Sequence, residues 1–289
     1  MQYDKTRIAI RERDLVDLLD LALHLVRAHW LALFAASVIG AVPFAVFNYW
    51  LLSALPLVEV EDYNWYVFRM ILLVLFELPL AAVPATLLLG QAMFFARFDI
   101  GRIVRLAIDS LPQLLFYQLL LRGLLMPQAL FWERFGRELG GIMSVYFLVW
   151  VFPFVSWPYL NEMILLERNP LRSKGANRST WNRSRLFHKG HYGDSFGRLL
   201  GCGLLAAALT CALWLASWHV RGFFTQQYEI DATMFTVHLP VALWMVAGFF
   251  SVVRFLSYLD RRIRNEGWEV ELVLRAEAER LTRQYHLAG

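Results

Sequence analysis

Long apolar runs separated by short polar connections dominate this chain. A helix needs about 20 consecutive apolar residues to cross the hydrocarbon core of a bilayer. Six stretches reach that length, at about 30–55, 67–95, 111–132, 140–166, 199–220 and 234–259. Several are longer than a straight crossing requires, which leaves room for tilt or kinks. Pro43, Pro79, Pro84, Pro153 and Pro158 interrupt them, which a membrane helix tolerates where neighbouring helices satisfy the freed carbonyls. The pattern predicts an all-α integral membrane protein of about six transmembrane helices.

The polar connections carry a pattern of their own. In "RDLVDLLDLALHLVRAH" (13–29), Leu15, Leu18, Leu19, Ala22, Leu25 and Val26 recur at helical spacing, with Asp14, Asp17 and Asp20 off that stripe. In "FDIGRIVRLAIDSLP", Ile100, Ile103, Val104 and Ala107 share one face ahead of the third stretch. A third segment, "STWNRSRLFHKGHYGDSF", precedes the fifth and is far less regular. Three units, each an interfacial amphipathic helix followed by a hairpin of two spans, are the predicted organisation. Any basic loop leading into a span looks somewhat amphipathic, which is the simpler alternative. The chain divides into an N-terminal amphipathic segment (1–29), a six-span membrane domain (30–259) and a C-terminal helix (260–289). In that last part Gly267 supplies a break, Trp268 seats at the interface, and Glu271–Arg275 and Glu279–Arg283 are spaced as i, i+4 pairs.

Composition agrees with this reading. The chain is 58% hydrophobic, 15% aromatic and 18% charged, where soluble domains carry about 25% charged residues. Its mean hydropathy is +0.45. The first 28 residues lack the compact apolar core of a signal peptide, so no cleavable signal is predicted. Basic residues crowd the connections on one side: Arg7, Arg11 and Arg13 before the first span, Arg97, Arg102 and Arg105 after the second, and Arg172, Lys174, Arg183 and Lys189 after the fourth. The opposite side holds Arg134, Arg137 and Arg221, and its first loop reads "VEVEDYN". The positive-inside rule then places both termini in the cytoplasm, which an even number of spans requires. Arg261, Arg262 and Arg264 close the last span, where cations suit both the headgroups and the helix C-terminus. Basic amphipathic helices beside spans attract anionic lipid, the expected partner at that face. Topology accounts for the basic residues without a nucleic-acid partner. Cys202 and Cys211 lie nine residues apart, on opposite faces of a helix, so they cannot bridge and read as small buried hydrophobes.

Candidate chemistry is sparse. Ionisable groups within spans cost several kcal/mol unless paired or hydrated. Glu77, in "VLFELPLAAVP", and Arg122, in "YQLLLRGLLMP", fall at similar depth and form a candidate pair, either a structural tie or part of a polar path. Glu162, beside Asn161 in "WPYLNEMILLERNPL", either faces a cavity or pairs with a loop arginine. Arg69 and Arg254 lie near span ends, where snorkelling explains them. Asp260 and Glu266 are acids that topology does not ask for, and they are expected to pair with the basic fourth connection. His188, His191, Asp194 and Ser195 crowd into "FHKGHYGDSF", but Gly190 and Gly193 argue against a firm helix there, and a solvated basic loop is the simpler reading than a metal site. No nucleophile elbow, phosphate loop, dinucleotide fingerprint or paired-cysteine motif occurs, so no cofactor, metal or enzymatic activity is predicted.

Two motifs resemble a known group. The N-terminal pattern E-x-x-D-x-A-x-x-L-x-R is matched by Asp17, Asp20, Ala22, Leu25 and Arg27, with Asp17 in place of the usual glutamate. The pattern Y-x-D-x-R-x-R-x-E-G-x-D/E is matched by Tyr258, Asp260, Arg262, Arg264, Glu266, Gly267 and Glu269. With the junction "PYLNEMILLERNPL", these resemble bacterial polytopic proteins related to the membrane domain of glycerophosphoryl diester phosphodiesterases. The resemblance implies a bacterial inner-membrane location and a scaffold or partner role. It does not imply phosphodiesterase activity, because the catalytic barrel and its His and Glu/Asp ligands have no counterpart here. The sequence thus supports a non-enzymatic scaffold or accessory subunit that recruits partners or anionic lipid. The alternative is a transporter or permease component with Glu77, Arg122 and Glu162 in a polar path.

Overall fold

A computed structural model describes residues 14–53, 60–94, 99–120, 158–167, 179–188 and 192–266. Among them there is no strand, and nearly every residue is helical. Helix α1 (Leu15–Ala28) meets α2 (Trp30–Leu52) at His29, whose φ of −127° and ψ of 30° break the helical run. Then come α3 (Val60–Ala81), α4 (Val83–Phe94) and α5 (Ile100–Leu114), the last continuing as a π-helical turn over Leu115–Leu120. A short α6 (Leu160–Glu162) runs into a second π-helical turn, Met163–Glu167. Helices α7 (Thr180–His188), α8 (Tyr192–Thr225) and α9 (Leu239–Glu266) follow, with a third π-helical turn, Met234–His238, ahead of α9.

Four helices are long and apolar enough to cross a membrane: Trp30–Leu52, Asp62–Ala81, Phe196–Thr225 and Met234–Arg264. They correspond to the first, second, fifth and sixth apolar stretches. Most of 111–132 and 140–166 lies outside the described residues, as does the segment 267–289. Several boundaries differ from the sequence expectation. The second stretch, expected to run unbroken over 67–95, divides after Ala81 into α3 and the shorter α4, where Pro84 cannot continue the hydrogen-bond ladder. The fifth and sixth run on to Thr225 and Arg264. The second span starts earlier, because Asp62, Tyr63 and Asn64 of the acidic loop are already helical. The fifth also starts earlier: Gly193 sits inside α8, where continuous helix overrides the propensity cost of a single glycine, about 1 kcal/mol.

Surface chemistry fits a lipid environment. On α2, Trp30, Phe34, Ile39, Val46 and Trp50 face outward, and on α8 Leu204, Leu209, Leu213 and Phe224 do the same. Cys211 shares that exposed face and Cys202 is only half-buried, so the pair does not form the buried hydrophobes expected of it.

Packing is tightest where small residues let backbones approach. At Gly40 on α2, an added Cβ would lie 1.9 Å from the Ala81 carbonyl oxygen of α3. Around this crossing Leu52, Tyr66, Met70, Leu73, Val74, Trp244 and Ala247 form one core cluster. A second cluster joins α1, α2, α4, the second π-helical turn, α7 and α9 through Leu18, Leu33, Leu89, Met163, Phe187 and Tyr258. The amphipathic stripe of α1 is buried there at Leu18 and Ala22. Helix α5 begins at Asp99, whose side chain accepts from the Arg102 amide at 3.0 Å, and Gln91 clasps Asp99 through both its amide atoms.

Candidate functional site

Three groups of polar contacts tie these helices together. In the middle of the bundle, Asn48 Nδ2 of α2 donates to Glu77 Oε2 of α3 at 2.7 Å, and both side chains are buried. Glu77 therefore has an amide partner that the apolar context of "VFNYW" concealed. Arg122, its candidate partner from the sequence, lies outside the described residues. Removing the donor by Asn48→Leu is expected to cost about 1–3 kcal/mol, the penalty for leaving a buried acceptor unsatisfied. Glu77→Gln keeps an acceptor and is expected to cost less. Denaturation of both variants in the same detergent gives the comparison.

Asn161 and Glu162 sit on α6, at the foot of α4. Asn161 Nδ2 donates to the Pro79 carbonyl at 2.8 Å, so a side chain from another helix serves the proline-disturbed junction of α3 and α4. Glu162 is fully buried, and Oε1 accepts from Arg254 Nε of α9 at 2.6 Å. Two expectations change here. Glu162 pairs with an arginine of the last span rather than of a loop. Arg254 turns inward instead of snorkelling, because a buried carboxylate offers it more than the headgroups do. Arg69 is buried as well. Glu162 Oε2, Arg254 Nη2 and Asn161 Oδ1, all buried, have no hydrogen-bond partner among the described residues.

The third group lies at the end of the bundle that carries the basic connections. Asp260 of α9 accepts from Arg198 Nη2 of α8 at 3.1 Å and forms an ion pair with Arg264 Nε at 3.2 Å. Arg198 belongs to the basic fourth connection of the sequence. Arg261 is buried, Arg262 is half-buried near Glu167, and the side chains of Glu266 and Trp268 lie outside the description. Beside them Arg183 of α7 grips Glu167 through Nε at 2.8 Å and Nη2 at 3.1 Å, while Tyr258 Oη of α9 donates to Glu167 Oε1 at 2.7 Å. One carboxylate thus joins three helical segments. Sequence reading passed over Glu167 and Arg183 because each looked like an ordinary charge in a basic loop.

Burial alone would raise the Glu167 carboxyl, but the hydrogen bonds from Arg183 and Tyr258 and the charges of Arg183 and Arg262 hold it below its ordinary value. A depressed folded value means the contribution to stability is complete above the unfolded pKa, about 4.3, and is lost as pH falls through the folded value. Acid titration followed by tryptophan fluorescence is expected to show a destabilisation below about pH 4 that is missing from Glu167→Gln.

At the opposite end, Arg221 of α8 holds Asp231 through Nη2 at 2.7 Å and also reaches Thr233, closing the turn into α9. Gln226 in that turn adopts φ of 57°. The side chains of His188, His191, Asp194 and Ser195 lie outside the description. Among the described residues no cluster of three His, Cys, Asp or Glu could hold a metal ion.

The spaces between helices are of two kinds. A recess of about 10 Å³, bounded by Ser37, Trp244, Gly248 and Ser251, holds one water at most. A groove of about 550 Å³ runs along α2 and α9, and Ser37 is nearly its only polar residue. These features define an all-helical protein with membrane-capable helices and internally paired charges. No protein-family model, curated protein or solved structure matches the chain. The likeness to phosphodiesterase membrane domains therefore stands on its quoted motifs alone.

Proposed function

We propose that this is a six-span integral protein of the bacterial inner membrane, with both termini cytoplasmic, acting as a non-enzymatic scaffold or accessory subunit. One observation carries the reading: Glu77, Glu162, Glu167 and Asp260, the buried carboxylates among the described residues, all have partners within the chain. Charges spent on holding helices together are not free to convert a substrate. The surface left for recognition is apolar and outward, along α2 and α8. At the basic end, α5 exposes Ile100, Val104, Ile108 and Leu111 as one stripe, with Arg102 and Arg105 also exposed. Such a helix suits the headgroup plane of an anionic leaflet. The phosphodiesterase-associated likeness, with its partner role, is compatible with this reading.

The orphaned Glu162 Oε2, Arg254 Nη2 and Asn161 Oδ1 favour a second reading, a permease component in which these atoms meet a passing polar solute. Purification in mild detergent, with identification of what accompanies the protein, tests the first reading. A stoichiometric membrane polypeptide or lipid is expected. A protein that purifies alone, and whose proteoliposomes leak ions in a manner lost in well-folded Glu162→Gln, would overturn it in favour of the second.

A further inference from the structure

The groove between α2 and α9 has the dimensions of a lipid chain rather than of a protein helix. Its α2 wall is a single stripe, Trp30, Phe34, Val38 and Val42, and α9 supplies Val241 and Met245 opposite. The two helices touch at Gly248, where a Cβ would meet Ser37 Oγ at 3.2 Å. Outside that contact Val42, Val241 and Met245 are about half exposed, so the groove opens sideways rather than into the bundle. At a rise of 1.5 Å per residue, the α2 wall from Trp30 to Ala45 is about 22 Å long. That length covers one hydrocarbon leaflet, about 15 Å, with allowance for tilt. A membrane helix about 10 Å across and 30 Å long fills roughly 2,400 Å³. The groove, at about 550 Å³, could take only one face of such a helix, whereas an acyl chain would lie within it.

The end of the groove selects the headgroup. Val26 and Trp30 line it at the α1–α2 junction, and Arg27 is exposed there. Only His29 separates the end of α1 from the start of α2, so the opposite partial charges of the two helix ends offset there and Arg27 supplies the positive charge. Tryptophan at this depth is also suited to the headgroup boundary. The acids of α1, Asp14, Asp17 and Asp20, lie in its first half, two or more turns from that end. We propose that this groove holds one acyl chain of an anionic phospholipid from the adjacent leaflet, with the phosphate against Arg27. The proposal rests on the membrane reading above and gives its lipid partner a place.

Full-length protein is reconstituted into vesicles of phosphatidylcholine and phosphatidylglycerol, with a tracer of either lipid carrying a photoactivatable acyl chain. Labelled peptides are then mapped. Label is expected on Val38, Val42, Val241 and Met245, with the phosphatidylglycerol tracer preferred about fivefold, the equivalent of one basic residue near an anionic headgroup. Val42→Trp combined with Met245→Trp, at exposed positions that tolerate bulk, is expected to reduce groove labelling about tenfold, the value of two lost methylene contacts. Arg27→Gln is expected to abolish the headgroup preference and leave chain labelling intact.

Equal labelling of outward α8 residues such as Leu204 and Leu213 would reduce the groove to ordinary annular lipid and overturn the proposal. Protein crosslinked to protein through the groove would overturn it too, as would a fivefold preference surviving Arg27→Gln for its headgroup part. The wild-type labelling map decides the matter even where the double variant fails to insert. An empty groove in a protein that still purifies with a partner polypeptide defeats this site while leaving the accessory role standing. Ion leak lost in Glu162→Gln would do the reverse.

Discussion

Gly40→Ala is expected to destabilise the protein by about 3 kcal/mol or more, the upper range for overpacking a close contact. The added methyl would sit 1.9 Å from the Ala81 carbonyl oxygen and 2.9 Å from its carbon. Carbon and oxygen meet comfortably at about 3.3–3.6 Å, so α2 and α3 must separate by more than 1 Å. No rotamer change relieves the clash, because the obstructing atoms are backbone. Separation also pulls on the Asn48–Glu77 hydrogen bond two turns away and loosens the cluster around Tyr66 and Met70. Gly203→Ala on α8 is the matched control. Its new methyl meets nothing within 4 Å, and removing a glycine from a helix stabilises by about 0.5–1 kcal/mol. Thermal unfolding of both variants in one detergent measures the difference; equal melting temperatures would refute the account of the α2–α3 crossing.

Arg254→Leu and Glu162→Leu are each expected to cost about 3–5 kcal/mol, because either leaves an uncompensated charge in the bundle. The Glu162 side chain has no exposed surface, and that of Arg254 is 19% exposed. Both substitutions together are expected to recover most of the loss, since two apolar side chains of similar size replace a pair whose desolvation was itself costly. The coupling is read from a double-mutant cycle of denaturation free energies. Strict additivity would show that the 2.6 Å contact contributes nothing beyond the separate side chains.

Much of the architecture was legible because lipid imposes strong patterns. The apolar stretches beginning at Trp30 and Met234 start where the membrane-capable helices do. The stripe of α1 packs through Leu18 and Ala22, and Asp260 reaches a residue of the basic fourth connection. Partner choice stayed hidden. Arg254 near the end of an apolar run reads as a snorkelling cation by composition alone. Only the convergence of α6 and α9 reveals a carboxylate within reach, 92 residues away in sequence. Glu77 suggested a charged partner because charges attract over distance, whereas the described contact is with Asn48, an amide with no such signature. The π-helical turns were equally invisible. Such a turn rotates the facing of the next stretch of helix, and 3.6-residue periodicity carries no mark of it.

The mode of attachment of α8 bears on how freely its sequence can drift. It is held at one end by Arg198 on Asp260 and at the other by Arg221 on Asp231. Between these anchors only a narrow line of residues, including Gly201, Cys202, Leu205 and Thr210, turns from the surroundings. Exchanges among Leu, Ile, Val and Phe at positions such as Leu204, Leu209, Leu213 and Leu215 alter neither anchor, so selection has little to act on there. Related chains are expected to vary widely along this outer face. The four anchoring side chains change only as matched pairs, an inheritance pattern that a collection of sequences would display as covariation.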